Sequence, residues 1–185
     1  KNIPFLNMVL TNNFTGGQPV SMANLKEASK IARKNGIKVV IDSARVAENA
    51  YFIKHRETGY ENKSIREICR EIYTYGDIMH MSSKKGALVN MGGLIATNDK
   101  DLYERMSAML IQFEGYITYG GLSGRDLEAL AIGLNEGLEY DYLHHRISQV
   151  KLFGDLLREK GVPFYEPAGG HGIYVDGLKT YPHIP

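Results

Sequence analysis

Apolar positions along this chain fall into short continuous runs and into helical repeats that take turns along the sequence. The runs predict strands over 5–11, 37–41, 78–81 and 92–97. The repeats predict helices over 22–34, 44–57, 63–73, 125–137 and 140–160, and a further helix capped by Asp99 or Asp101 that ends near Gln112. Strand, helix and strand at this spacing form a βαβ unit, which predicts a mainly parallel sheet.

The segment 161–176 has a different pattern, with apolar residues on either side of a Gly-rich loop. It is predicted to form a strand, a loop and a strand that open a second, smaller α/β domain. The expected division is therefore a large-domain core over 1–137, a connecting helix over 138–160 and the beginning of a small domain over 161–185. The apolar residues of the helix that ends near 112, among them Met106 and Met109, are expected to pack in a core.

Polar groups follow three of the predicted strands. They are the loop 12–18, Asp42-Ser-Ala-Arg45 and Ser82-Ser-Lys-Lys85. If those strands are parallel, the three groups meet at the carboxyl edge of one sheet, where open α/β folds bind ligands. The alternative interpretation is structural: Asp42 caps the next helix with Arg45 solvated, and the two lysines lie on an ordinary surface turn.

The pair Lys84-Lys85 is expected on a turn between two buried strands. Crowded ammonium groups in partly desolvated surroundings favour the neutral amine, which is the form that attacks a carbonyl. Ser82 and Ser83, with neighbouring backbone N–H groups, are suited to hold a phosphate. A lysine that bonds an aldehyde beside a phosphate cradle suggests pyridoxal 5′-phosphate.

Composition excludes several classes of protein. With 185 residues, 43% hydrophobic, 23% charged and a net charge of +1, the chain is neither disordered nor fibrous, and no nucleic-acid partner is expected. A single cysteine, Cys69, fits a reducing cytoplasmic location, and no apolar run reaches the roughly 20 residues of a membrane span. Lys1 and Pro185 both look like cut ends, so we expect a fragment of a longer polypeptide.

Five longer motifs carry a resemblance to a known family. They cover 16–24, 42–54, 81–85, 119–126 and 168–171. In this order they resemble the tyrosine phenol-lyase and tryptophanase family of pyridoxal-phosphate β-eliminating lyases. The resemblance implies an α/β fold class: an aspartate-aminotransferase-like large domain (PLP fold type I) with a mainly parallel sheet, plus the start of a smaller α/β domain.

The resemblance also implies roles for individual residues. Lys85 would bond the cofactor aldehyde and later move the α-proton, with Lys84 close by. Asp42 would pair with the pyridinium nitrogen and keep the ring protonated, so that it accepts electrons from the carbanion. The remaining matches are Ser82 at the cofactor phosphate, Asn13 and Arg45 near its phenolic oxygen, and Asn90 at a monovalent-cation site that usually holds potassium.

The implied reaction is β-elimination from an aromatic L-amino acid. The motifs lean slightly to L-tyrosine, which would give phenol, pyruvate and ammonia, and tryptophanase activity that gives indole is the alternative. Two positions depart from the family pattern: Gly86 replaces a usual Asp, and Tyr116-Ile117 replace Met or Phe followed by Pro.

Several family features find no match in this chain, namely the arginine for the substrate carboxylate, the aromatic residue that stacks on the cofactor, the main phosphate loop and the acid for the leaving group. They would come from segments outside 1–185 and from a neighbouring subunit of a homo-oligomer, a dimer of dimers. We therefore expect the isolated chain to be inactive. An aminotransferase-type enzyme or a non-catalytic module on the same fold are the other hypotheses.

Overall fold

A four-stranded sheet forms the centre of the molecule in the computed structural model, which describes residues 3–184. The strands are β1 (Phe5–Val9), β2 (Lys38–Asp42), β3 (Ile78–Ser82) and β4 (Gly93–Thr97), in that spatial order. β1, β2 and β3 are parallel, and β4 is antiparallel to β3. The predicted mainly parallel sheet is confirmed.

Helices connect and cover the strands. They are α1 (Met22–Lys34), α2 (Val46–Arg56), α3 (Ile65–Tyr73), α4 (Ser83–Gly86), α5 (Lys100–Phe113), α6 (Gly124–Glu136), α7 (Tyr140–Glu159) and α8 (Gly177–Thr180). Five of them begin at a side chain that accepts a backbone N–H in the first turn, supplied by Ser21, Ser64, Asp99, Ser123 and Asp176. These caps explain why most predicted helix boundaries lie within two residues of the observed ones. Within 3–184 no helix is both long and apolar enough to cross a bilayer.

The hydrophobic core lies between the sheet and α1, α2 and α3. Every residue of α2 from Val46 to Ile53 is buried, because the helix packs against both α3 and α7. Ile41 on the central strand and Ile68 on α3 are fully buried in the same cluster. This core fixes the strands whose carboxyl ends carry the candidate site.

The strand after the lysines differs from expectation. The lysine segment was expected between two buried strands, but Gly93, Ile95 and Ala96 of β4 are exposed. β4 is an edge strand of the described sheet, paired with β3 alone, so its side chains have fewer neighbours to cover them.

The segment 161–176 also differs from expectation, because it forms no strand in the part of the chain that the structure describes. A single antiparallel bridge joins Phe164 to Val175. Pro163 and Pro167 lack the backbone N–H that a longer ladder needs, and the glycines at 169, 170 and 172 favour a loop. The division into two domains stays a prediction, and the proposed cut ends at Lys1 and Pro185 lie outside the described residues.

Candidate active site

Backbone hydrogen bonds bring the predicted loops together at the carboxyl edge of the sheet. Leu10 N–H donates to the Asp42 carbonyl, and Arg45 N–H donates back to the Leu10 carbonyl, each at 3.0 Å. Ser43 N–H donates to the His80 carbonyl at 2.8 Å. The turn after β2 is therefore bonded to the ends of both neighbouring strands, as their parallel order requires.

The lysine segment forms a one-turn helix, α4, rather than the expected simple turn. Gly86 N–H donates to the Ala44 carbonyl at 2.9 Å, which places the end of α4 directly against the turn that follows Asp42. Lys84 is exposed, whereas Lys85 and Ser82 are partly buried. The two lysines therefore have different surroundings, and Lys85 is the more enclosed.

Ser83 lies beneath the lysines and is fully buried. Its Oγ makes no hydrogen bond to any residue within 3–184. A buried hydroxyl without a partner costs free energy, so this atom is an unsatisfied polar group directly before the two lysines. The sequence alone predicts that this second serine, together with Ser82, holds a phosphate.

Asp42 does not cap the following helix, so the structural alternative for this residue is wrong. The N-cap position of α2 is occupied by Arg45, which makes no side-chain capping bond. Instead Asp42 Oδ1 accepts the Ala44 N–H at 3.1 Å. This short Asx-type turn fixes the orientation of the carboxylate at the end of the central strand.

Arg45 belongs to a partly buried charge cluster that the sequence did not reveal. Burial lowers the pKa of the Arg45 guanidinium, the nearby Glu48 carboxylate opposes that shift, and Arg146 adds to it. Glu48 is itself buried, and burial raises its pKa. Arg146 Nε on α7 lies 3.5 Å from Glu48 Oε1. A charged residue among the mostly apolar residues 46–53 was the available signal for Glu48.

The side chain of Asn13 is oriented by two residues near the C-terminal end of the chain. Its Oδ1 accepts the Tyr174 hydroxyl at 3.1 Å and lies 2.9 Å from His171 Nε2. Because that oxygen only accepts, His171 donates through Nε2, and its Nδ1 accepts from Thr11 Oγ1 at 3.4 Å. In the sequence, a histidine flanked by glycines indicates a structural residue or a possible ligand contact, and nothing there predicts the bond to Asn13.

His171 is neutral at neutral pH. Burial lowers its pKa to about 4, and the positive charges of Arg45 and Arg146 act in the same direction. A neutral ring with one donor and one acceptor nitrogen is what the bonds to Asn13 and Thr11 require. The electrostatics and the hydrogen bonds therefore agree.

Glycines allow the loops that carry Asn13 and His171 to touch through their backbones. Gly170 N–H donates to the Gly17 carbonyl at 3.0 Å. A β-carbon on Gly169 would lie only 1.8 Å from the Gly16 carbonyl oxygen. The Gly-Gly pairs in the two motifs serve this close approach.

Other candidate residues lie outside this cluster. Asn90 is exposed in the loop between α4 and β4, and no side-chain hydrogen bond joins it to another described residue. Tyr116 is half exposed after α5. His144 and His145 are both exposed on α7, and His144 Nδ1 lies 2.9 Å from the Tyr51 hydroxyl.

Comparison with known proteins identifies a family that matches nearly the whole chain. The sequence profile of the family described as beta-eliminating lyase matches residues 1–178. The chain belongs to this family. The resemblance stated from the motifs is thereby confirmed.

Curated relatives match nearly the whole chain at about 50% sequence identity. It is 52% identical to a tyrosine phenol-lyase of Lacrimispora saccharolytica, with 100% of this chain and 39% of that protein covered. It is 54% identical to a probable beta-eliminating lyase of Trichomonas vaginalis, over 99% of this chain and 40% of the relative. It is 51% identical to a probable tryptophanase of Aeropyrum pernix, over 100% of this chain and 40% of the relative. The chain thus spans about two fifths of the length of these relatives.

Solved structures share the fold at low identity. A putative L-allo-threonine aldolase from Listeria monocytogenes superposes with a TM-score of 0.73 at 18% identity, over 95% of this chain and 44% of that one. A putative aromatic amino acid beta-eliminating lyase/threonine aldolase from Exiguobacterium superposes with a TM-score of 0.70 at 18% identity, over 90% of this chain and 42% of that one. The aminotransferase-like α/β fold class is confirmed.

Proposed function

We propose that this chain supplies the lysine and aspartate side of a pyridoxal-phosphate site that catalyses β-elimination from an aromatic L-amino acid. The observation that carries the proposal is the bond from Gly86 N–H to the Ala44 carbonyl, which sets the lysine helix against the Asp42 turn. Membership of the beta-eliminating lyase family supports the reaction class.

The residues at this edge fit the cofactor by their chemistry. An aldehyde, a phosphate, a ring nitrogen and a phenolic oxygen need an amine, hydroxyl donors, a carboxylate and an amide, and the converging loops hold all four. The fully buried Ser83 Oγ makes no hydrogen bond to any residue within 3–184, so this edge also holds an unsatisfied polar atom. Bound there, pyridoxal phosphate would supply an electron sink for the pair released at the α-carbon.

Each side chain has a task that follows from its surroundings. Lys85, the more enclosed amine, would hold the aldehyde and carry the α-proton on Nζ. Asp42 would hold a proton on the ring nitrogen, with its carboxylate oriented by Ala44 N–H. Asn13 already accepts two bonds at Oδ1, so its Nδ2 is the group left to donate to the phenolic oxygen beside Arg45.

Other parts of the proposal rest on the resemblance alone. Ser82 would bind the phosphate, Lys84 would lie close to the reacting centre, and Asn90 would contribute to a potassium site. The arginine for the substrate carboxylate and the acid for the leaving group would come from polypeptide outside these 185 residues, in an assembly of two dimers. On this proposal the chain alone binds the cofactor without turning substrate over.

Reductive labelling tests the cofactor proposal. The chain is mixed with limiting pyridoxal phosphate, treated with borohydride and mapped by peptide mass spectrometry. We expect the pyridoxyl group on Lys85, its loss in Lys85→Ala, and unchanged labelling in Lys100→Ala, a control because Lys100 is an exposed lysine of α5. Labels spread evenly over surface lysines, or kept at other sites in Lys85→Ala, would contradict the proposal.

The substrate is proposed to be L-tyrosine, with L-tryptophan as the alternative. Relatives named for each activity match almost equally, at 52% and 51% identity, so a functional test must decide. We would exchange the matching segment of the Lacrimispora tyrosine phenol-lyase for this chain and measure phenol from L-tyrosine and indole from L-tryptophan.

We expect phenol as the main product, and a loss of roughly a thousandfold in the same chimera with Lys85→Ala. Indole as the main product would select tryptophanase. Cofactor binding with neither product would favour an aminotransferase-type enzyme or a non-catalytic module, which amino-group transfer to a keto acid would separate.

A further inference from the structure

The lysine helix α4 is a single turn, and a helix this short has no stability of its own. Its position must therefore be set by what touches it. On one side Ser83 N–H donates to the Gly92 carbonyl at 3.0 Å. The remaining contacts described below come from two other elements, and both are made through backbone atoms.

Helix α6 lies against the carbonyl groups that follow Lys85. A β-carbon on Gly133 would lie 1.8 Å from the Ala87 oxygen, and one on Gly137 would lie 2.1 Å from the Gly86 oxygen. Residues four apart share one face of a helix, and both glycines are buried. Glycine is unfavourable within a helix, but here it lets the backbone of α6 touch the end of α4.

Gly86 is held from the opposite side as well. Its N–H donates to the Ala44 carbonyl at 2.9 Å, and a β-carbon built on it would also lie 2.9 Å from that oxygen. Gly86 is therefore enclosed between the turn that follows Asp42 and the C-terminal end of α6. Neither neighbour is a flexible side chain that moves aside at low cost.

We propose that Gly133 and Gly137 are positioning residues that fix Lys85 relative to Asp42 by clamping the lysine helix between α6 and the Asp42 turn. The inference rests on the proposed function, since it concerns the amine that would meet the cofactor. A β-carbon at either position pushes α4 away from its place against α6, and reactive groups displaced by about 1 Å lose much of their efficiency.

The test measures where the cofactor reacts, with borohydride labelling of the whole 185-residue chain. The readout is the share of pyridoxyl label on Lys85 relative to the other lysines. In Gly133→Ala we expect that share to fall about tenfold, and in Gly137→Ala, whose contact is less severe, by a few-fold. The matched control is Gly124→Ala at the start of the same helix, where a β-carbon meets no atom within 4 Å and the share should not change.

A purely structural role gives a different result. It would lower the melting temperature, followed by circular dichroism, while the folded protein kept its preference for Lys85, and that outcome would overturn the proposal. If Gly133→Ala does not fold, the label distribution in Gly137→Ala decides between the two outcomes. A parent chain without preference for Lys85 would defeat the proposed function and this inference together, whereas a selective parent with equally selective variants would defeat the inference alone.

Discussion

Helices α2 and α5 show how differently two parts of this molecule are packed. All residues of α2 from Val46 to Ile53 are buried, whereas α5 has no buried residue. Helix α2 lies between the parallel strands, α3 and α7. Helix α5 follows the edge strand β4 and has its main described contacts there.

The comparison teaches that an apolar pattern on a helix does not by itself bury the helix. Met109 on α5 is 58% exposed, although its stripe was expected to pack in a core, and that expectation is wrong for this residue. Burial needs a second layer as well as an apolar face. The candidate site is built on the well-packed half, so its framework rests on the part that carries most of the stability.

The largest effect expected from this difference is on the free energy of unfolding. Ile68→Ala removes a side chain that is fully buried in α3 and should cost about 2–4 kcal/mol through lost burial and the cavity left behind. Met109→Ala on α5 should cost less than about 0.5 kcal/mol. Urea unfolding of the two variants measures both values, and equal losses would show that α5 is packed as tightly as α3.

A smaller effect is expected from a charged cluster in the well-packed half. Glu71 is partly buried, which acts to raise its pKa, but hydrogen bonds from Lys63, Tyr60 and Lys26 outweigh burial and lower the pKa to about 2. Because the folded value lies below the ordinary 4.5, the stabilisation is present above about pH 4.5 and is lost as the pH falls towards 2.

Glu71→Gln should therefore reduce stability by about 1–2 kcal/mol at neutral pH, with the difference from the parent fading between pH 4.5 and 2. The control is Glu104→Gln on α5, whose ion pair with Lys100 is long, at 3.8 Å, and exposed, so that about 0.5 kcal/mol or less is expected. Thermal unfolding across this pH range provides the measurement. A difference that persists at pH 2 would mean that the charge on Glu71 is not the cause.

Local signals in the sequence were sufficient for the framework of the site. The cap at Ser21 and the stop at Asn35-Gly36 fixed the limits of α1, and the β-branched run before Asp42 fixed β2. Because β1, β2 and β3 are parallel, the order of the chain alone predicted that the loops after them would meet.

Local sequence signals did not predict the long-range contacts of the site. Asn13 and His171 are separated by 158 positions, and Arg146 reaches Glu48 from another helix. Periodicity reports which face of an element is apolar, but not which distant element covers it. For the same reason the exposure of β4 was missed, since its apolar residues are compatible with either a central or an edge strand.

The antiparallel pairing of β4 with β3 has one more consequence. Ser82 pairs directly with Gly93, so the lysine segment 83–92 leaves and re-enters the sheet at adjacent positions. Closing such a short loop costs little chain entropy. The length and sequence of this segment can therefore vary between relatives without a change in sheet register. The condition is that the residue after the second lysine still fits against the Ala44 carbonyl.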